Sequence, residues 1–451
     1  MTMFSKFIKA VVVLWTVTAL DLSAQDFSSK WLFGSAYNSK MKATWETEHY
    51  LMATVSGQGI MKAETADGDD LADYQVLKGR AAAGPFKAGD CFLFEVPAEN
   101  AAAGSFVSFD ATMSANPGAP VGWIVEWKDG GRWVEGRKYA CHGPALGKDH
   151  KYTTIHQTYR LKNAPEGGVV NVRLRALEGA LIPSREGVDT DAKVMFVTSP
   201  YLGAYVMDYG TTPPKDTTKV LCIGNSFTYY LSCPQMLKDI AWKEGHYLDV
   251  SASLKGGWSM GKHLTYPTTD DEIARGGYDV VILQDQSQSA AQVGSDRKKY
   301  SENVANTVAM AQKVRTTSED CRLLLECTWA YAGKKNGGFS CVTEFYKNAG
   351  KGIKVMSKAA RADVSPIRDA FRMANIEHPD ILLFADDGYH PSEYGSYLKS
   401  SVNYLVLFGE PFGDNPSDCG LDPKKTSALR RVAEAVVFGK KFCRYSNNSY
   451  L

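Results

Sequence analysis

Ser226 follows the apolar run Val220 to Ile223 and the turn residues Gly224 and Asn225, and it precedes an amphipathic segment from about Phe227 to Glu244. A serine at a strand-to-helix junction stands beside the first N–H groups of the helix, which lack intrahelical partners and lie at the positive end of the helix dipole. A hydroxyl there can act as a nucleophile next to donors suited to an oxyanion. The plainer reading is an N-cap, a position that serine favours strongly. A second constellation shifts the balance. After the apolar run Ile381 to Phe384 comes Ala385-Asp386-Asp387-Gly388-Tyr389-His390-Pro391-Ser392, followed by a helical pattern. Asp387 and His390, three apart in a turn-rich loop, let one loop present a carboxylate to an imidazole and fix its tautomer. Asp386 is the alternative orienter, and the three-residue spacing favours Asp387. Serine, histidine and aspartate are together a nucleophile, a base and its orienter.

On these residues the sequence resembles a known family. Gly224-Asn225-Ser226-Phe227 is similar to the first block, and Asp387-Gly388-Tyr389-His390 to the last block, of the SGNH (GDSL-like) hydrolases, serine esterases on a flavodoxin-like α/β/α fold. The resemblance runs from about Lys219 to Glu410 and leaves the N-terminal half uncovered. It implies that a glycine after the second strand joins the nucleophile's N–H in the oxyanion hole. Leu254-Lys255-Gly256-Gly257-Trp258-Ser259 fits, with Gly257 the closer match, Gly256 its neighbour, and Trp258 bordering the substrate. The third block departs from the commoner Gly-x-Asn-Asp pattern, because the strand end reads Leu283-Gln284-Asp285-Gln286-Ser287. Gln284, nearest the strand, is expected to supply the third donor and Gln286 is the alternative, since each carries the same amide on a longer arm. Sugar O-acetylesterase branches of the family use a glutamine-containing element at this place.

The elements that must position these groups alternate between strands and helices after residue 218. Strand-like runs fall at Val220 to Ile223, Leu248 to Ala252, Val280 to Leu283, Leu323 to Cys327 and near Val364. Val304, Val308, Ala311 and Arg315 mark one helix face. Tyr394, Leu398, Val402 and Leu405 mark another, and Asp422-Pro423 caps a last helix with Leu429, Val432 and Val436 inward. This is the pattern of a parallel sheet covered on both faces, whose catalytic groups collect at the strands' carboxyl ends.

Residues 26–208 read differently. Short alternating runs, such as Cys91 to Val96, Ser105 to Phe109, Trp123 to Trp127 and Val169 to Leu174, are separated by turn clusters. They predict an antiparallel β-sandwich or jelly roll. Trp31, Trp45, Trp123, Trp127 and Trp133 lie in this half. Trp123 and Trp127 share one face of a strand and read as core, whereas Trp133 and Tyr139 leave a glycan-binding role open. The expected organisation is a signal peptide over 1–25, a β-sandwich over 26–208, a Pro-containing linker over 209–218 and a catalytic domain over 219–451.

The first 25 residues carry Lys6 and Lys9, an apolar run from Ala10 to Leu20 and small residues at Leu22-Ser23-Ala24. They read as a secretory signal without a lipobox cysteine, which predicts a secreted or periplasmic protein with no membrane span. Removing Lys6, Lys9 and Asp21 with it takes the formal net charge from +1 to 0, which argues against nucleic acid or a polyanion held by bulk charge. The chain has nine cysteines, an odd number, so at least one is free or pairs outside the chain. Cys222 and Cys327 read as buried hydrophobes, while Cys91 with Cys141 and Cys419 with Cys443 are conceivable disulfides. No zinc spacing is present, so neither a metal nor another cofactor is expected. His49, His142, His150 and His156 read as surface or structural, and His263 as a residue that could approach the cleft.

The resemblance, with the glutamine block, the export signal and the neutral surface, points to an ester hydrolase acting on O-acyl groups, acetyl the commonest, of polysaccharide or glycoprotein glycans. The alternatives are an esterase for lipid or small esters, and an inactive glycan-binding surface protein.

Overall fold

The computed structural model describes residues 28–31, 59–71, 75–77, 80–143, 152–184, 186–187, 190–197, 204–332 and 338–439. The expected signal segment lies outside them, as do Trp45, His49, His150 and Cys443.

The first strands are β1 (Ser28–Trp31), β2 (Ile60–Glu64), β3 (Gln75–Leu77), β4 (Arg80–Ala83), β5 (Cys91–Pro97), β6 (Phe106–Ala115), β7 (Gly122–Asp129), β8 (Arg132–Ala140), β9 (Thr153–Arg160), β10 (Val169–Ala176), β11 (Val194–Val197) and β12 (Ala204–Asp208). All pair antiparallel, in two sheets. One has the order β1-β12-β6-β11-β4-β3, with β9 also paired to β6, and the other β2-β5-β10-β7-β8. Alternate side chains meet between them: Phe92 of one sheet packs on Phe196 of the other, ring centroids 4.7 Å apart, and Phe94 on Phe109 at 4.9 Å. Trp123 and Trp127 are wholly buried in this core. Trp133 is partly covered by the Arg173 guanidinium, 4.2 Å from its ring. Tyr139 is buried against Arg275 of the second half, so its ring offers no sugar platform.

The second half is a parallel sheet of β13 (Asp216–Gly224), β14 (His246–Leu254), β15 (Val280–Leu283), β16 (Arg322–Glu326) and β17 (Asp363–Ser365). Their order is β14-β13-β15-β16-β17, the flavodoxin-like arrangement with its switch point between β13 and β15. Val220, Cys222, Ile282 and Leu324 face one helical layer, and Leu221, Ile223, Val281 and Leu323 the other. A strand buried on both faces needs such a continuous apolar run. The protein is therefore an α/β fold, a three-layer α/β/α unit preceded by antiparallel β-sheets.

Four local expectations need correction. Strand β13 begins at Asp216 inside the expected linker, because Asp216 to Thr218 pair with His246 to Leu248. The single helix expected after Phe227 is broken into α1 (Ser226–Tyr229), a 3-10 turn (Tyr230–Ser232) and α2 (Cys233–Lys243). Ser232 adopts φ +56°, and Pro234 lacks the N–H and cannot tolerate the carbonyl four residues earlier. Helix α6 (Ser301–Arg315), which follows α3 (Met260–His263), α4 (Pro267–Arg275) and α5 (Ser289–Ser295), buries Thr307, Met310, Ala311 and Val314. Of these only Ala311 belongs to the face read from the sequence, although Val304 of that face also packs, partly buried, against the same core. Cys91 and Cys141 are both buried and are not bridged to each other. Cys91 opens β5 and Cys141 directly follows β8, and the two strands are separated by β10 and β7, about 14 Å of sheet at the usual strand spacing and beyond disulfide reach.

The two halves share a buried polar seam. Lys238 of α2 donates to Ser108 Oγ at 2.6 Å and pairs with Asp110 of β6, whose carboxylate also meets His156 Nδ1 at 2.7 Å. Arg137 of β8 pairs with Asp249 and donates to the Val250 carbonyl of edge strand β14 at 3.3 Å. Strand β9 lies alongside β14, with Thr154 Oγ1 donating to the Ala252 carbonyl at 3.4 Å.

Candidate active site

Loops after the parallel strands, together with the loop between the last two helices before residue 409, build the site. The first is the turn after β13. Asn225 is the N-cap of α1: its side-chain oxygen accepts from the Phe227 N–H at 3.1 Å, while its Nδ2 donates to the Trp258 carbonyl at 2.8 Å. One asparagine thus caps the helix that begins at Ser226 and ties it to the glycine loop. Ser226, first residue of the helix and 8% exposed, holds its hydroxyl 2.7 Å from His390 Nε2.

His390 comes from the loop between α8 (Ile367–Glu377), which follows α7 (Val342–Ala360), and α9 (Glu393–Phe408). Its Nδ1 lies 2.6 Å from Asp387 Oδ2. The other oxygen of that carboxylate accepts from the Tyr389 and His390 N–H groups, both at 3.0 Å. The carboxylate is therefore fixed by its own loop before it meets the ring. Tyr230 stacks on the imidazole at 3.8 Å and 7°, which restrains its orientation.

Burial pushes the His390 imidazole below its ordinary value, with Asp387 acting in the opposite sense. Burial also acts to raise Asp387, but the bonds from the His390 ring and the two N–H groups outweigh it and hold the carboxyl below the usual range. At neutral pH the pair is a carboxylate beside a neutral imidazole, whose Nδ1–H is donated to Asp387 and whose Nε2 lone pair faces Ser226.

The turn Lys255-Gly256-Gly257-Trp258 closes with the Trp258 N–H donating to the Lys255 carbonyl at 3.2 Å, and Gly257 takes φ +69°. A side chain would be strained at that φ. The N–H groups of Ser226 and Gly257 donate to no group among the described residues. Trp258 is partly exposed, with Tyr266 edge-on at 4.7 Å.

Gln284 is wholly buried. Its Oε1 accepts from the Asn225 N–H at 2.9 Å and from Thr228 Oγ1 at 3.1 Å, and its Nε2 donates to the Asp285 carbonyl. This amide braces the turn that carries Ser226 and is not presented to the cleft, contrary to the expected donor role. Gln286, the alternative, is partly exposed on the same loop. His263 is also structural: wholly buried, it donates from Nε2 to the Gly224 carbonyl at 2.9 Å and accepts at Nδ1 from Thr269 at 2.9 Å. Burial lowers its pKa to about 4.

Two supporting residues gave no sequence signal as members of a site. Trp329, after β16, stacks on Phe227 at 4.8 Å and on Phe371 at 3.9 Å, and its indole N–H donates to the Tyr389 carbonyl at 2.9 Å. Lys399 of α9 donates to the Phe227 carbonyl at 2.8 Å and to Thr228 Oγ1 at 2.9 Å, and pairs with Glu326 at 2.6 Å, both side chains being buried. A tryptophan at a strand end and a lysine within a helix are ordinary residues until the chain folds.

No family model matches the chain, and no curated protein matches it. Among solved structures it is similar to a DUF4886 family protein from Bacteroides uniformis, at 20% identity and a TM-score of 0.43 over 50% of this chain and 96% of that one. It is also similar to an acetylxylan esterase from Geobacillus stearothermophilus, at 16% identity and 0.33 over 44% and 97%. A family two carbohydrate esterase from Clostridium thermocellum covers 79% of this chain and 99% of its own, at 10% identity and 0.31. The chemistry of the site rests on its own geometry.

Proposed function

We propose that the protein is a serine esterase that removes O-acyl groups, acetyl the commonest, from polysaccharide or glycoprotein glycans. The observation that carries the reading is the continuous hydrogen-bonded series Ser226, His390, Asp387 at 2.7 and 2.6 Å, with the serine at a helix N-terminus. An N-cap serine needs no imidazole on its hydroxyl, and an imidazole so placed has its proton-accepting nitrogen on the serine.

In this mechanism His390 Nε2 takes the Ser226 proton as Oγ attacks the ester carbonyl. Asp387 keeps the ring in the productive tautomer and stabilises the imidazolium that forms. The oxyanion is received by the N–H groups of Ser226 and Gly257, each such donor typically worth roughly 3 kcal/mol of barrier. Gln286 is the side-chain amide available on the neighbouring loop. His390 then protonates the leaving alcohol, and water, activated by the same ring, hydrolyses the acyl-enzyme. The residues that carry these steps are all side chains or backbone of this chain, with Trp258 bordering the substrate.

The test is acetate release from a panel of acetylated glycans and from 4-nitrophenyl acetate, with Ser226→Ala beside the wild type. Release that disappears in the variant supports the reading. Absence of release from every substrate, with glycan binding retained, replaces it by a binding function.

A further inference from the structure

A cavity of about 370 Å³ opens beside the loop that carries Asp387 and His390. Its lining includes Tyr331, Val342, Tyr346, Arg372, Asn375 and Ile376. The volume lies in the range of small-ligand sites and suits a sugar residue and part of its neighbour. The cavity is built into the catalytic framework. The Ala332 N–H donates to the Gly388 carbonyl at 2.7 Å. Tyr331 stands 5.4 Å from Tyr389 and 6.2 Å from Phe227, ring to ring, and its hydroxyl lies 2.6 Å from Ser287 Oγ on the loop after β15. The same tyrosine therefore forms a wall of the cavity and a contact of the loops around Ser226.

Two features describe the occupant. The rim is apolar and exposed: Ile376 is 70% exposed and Val342 43%. Side chains of this kind, gathered at one concavity, mark a binding surface more than an accident of folding. The second feature is charge. Arg372 is the one charged residue among the lining residues, and none of them is acidic. Its guanidinium lies over the Tyr346 ring at 5.6 Å, which holds it in place, and no carboxylate pairs with it among the described residues. The nearby Asp369 is engaged by Arg368 instead. An arginine without a partner, fixed over an aromatic face in a cavity, is a planar two-pronged donor awaiting a planar two-oxygen acceptor.

The geometry points to this cavity as the subsite for the alcohol side of the ester, taking a pyranose that bears a carboxylate, a hexuronate unit of the acylated glycan. Arg372 reads the carboxylate, Asn375 reaches ring hydroxyls, and the tyrosines with Ile376 receive the apolar face of the ring. A formal net charge of +1 offers no long-range field for an acidic polymer, so the acidic unit is recognised locally. This inference rests on the esterase reading and narrows its substrate.

Binding is measured by calorimetry on the Ser226→Ala protein. The probes are a glucuronate-bearing xylo-oligosaccharide and a galacturonate oligomer, each beside its carboxyl-reduced form. At least one acidic probe is expected to bind roughly tenfold more tightly than its reduced counterpart, and Arg372→Gln is expected to remove that ratio while leaving neutral binding alone. With Ser226 intact, Arg372→Gln is expected to hydrolyse 4-nitrophenyl acetate at the wild-type rate and to raise KM roughly tenfold on the acetylated acidic glycan. Equal binding of acidic and reduced forms in both pairs overturns the proposal, as does an Arg372→Gln protein that keeps the ratio. Wild-type protein inert toward 4-nitrophenyl acetate removes the esterase reading, and the binding ratio then decides the cavity by itself. The comparison of ligands on unaltered Arg372 stands even if the variant folds poorly.

Discussion

Lys399 Nζ donates to the carbonyl of Phe227 at 2.8 Å, so the helix that starts three residues after His390 also grips the turn that carries Ser226. His390 and Ser226 arrive from sequence positions 164 apart, and this bond ties their elements directly. Glu326 neutralises the buried ammonium, and Asn403 Nδ2 donates to the other carboxylate oxygen at 2.8 Å.

Removing one partner leaves an uncompensated buried charge. Lys399→Met is expected to destabilise the fold by about 3–5 kcal/mol, and Lys399→Met with Glu326→Gln to recover most of that loss. The Phe227 carbonyl remains without its donor in both. Chemical denaturation is thus expected to show recovery in the double variant, while its kcat on 4-nitrophenyl acetate stays roughly tenfold low. A double variant with wild-type kcat would show that the lysine acts on stability alone.

Asp387→Asn keeps the size of the side chain and loses the charge and the acceptor pattern that select the His390 tautomer. kcat is expected to fall roughly 10³–10⁴-fold, with KM little changed. A loss smaller than tenfold would transfer the orienting role to Asp386.

The pH profile carries a sign. His390 must be neutral to accept the Ser226 proton, and burial holds its pKa below the ordinary value of 6.5. The acid limb of kcat/KM is expected below pH 6.5. Asp387 is the group that raises the pKa, so the limb of Asp387→Asn is expected at lower pH still. A limb that moves upward in that variant contradicts the assignment.

His263 predicts a pH dependence of stability that is separate from catalysis. Its folded pKa of about 4 lies below the ordinary 6.5, so the unfolded chain binds the extra proton first as pH falls. The stabilisation is complete above about pH 6.5 and is lost progressively down to about pH 4, amounting to roughly 3 kcal/mol at full extent. Urea midpoints at pH 7.5 and 5 are expected to differ less in His263→Gln than in the wild type.

What could be anticipated from sequence was local. A serine after four apolar residues and two turn formers, and an Asp-x-x-His in one loop, are short-range patterns whose geometry depends on neighbours along the chain. Strand positions were legible for the same reason, since Val220 to Ile223 and Val280 to Leu283 are apolar on both faces. Gln284 was not. Whether its amide points into the cleft or beneath the turn depends on Asn225 and Thr228, nearly sixty residues away. The face of α6 is legible only in part: Val304 and Ala311 pack on the core, whereas Thr307 and Met310 are buried by packing that periodicity alone does not specify. Lys399 resembles any solvated helical lysine until Glu326 lies against it.

Strand β14 ends the parallel sheet, and an uncovered strand of that kind is a template for pairing with another chain. Here β9 runs along it, and Arg137 and Thr154 occupy carbonyls of Val250 and Ala252. The antiparallel half thus covers that edge. A chain truncated to residues 209–451 would bare that edge and the buried face of Lys238 together, and it is expected to accumulate as aggregate even with every residue of the active site in place.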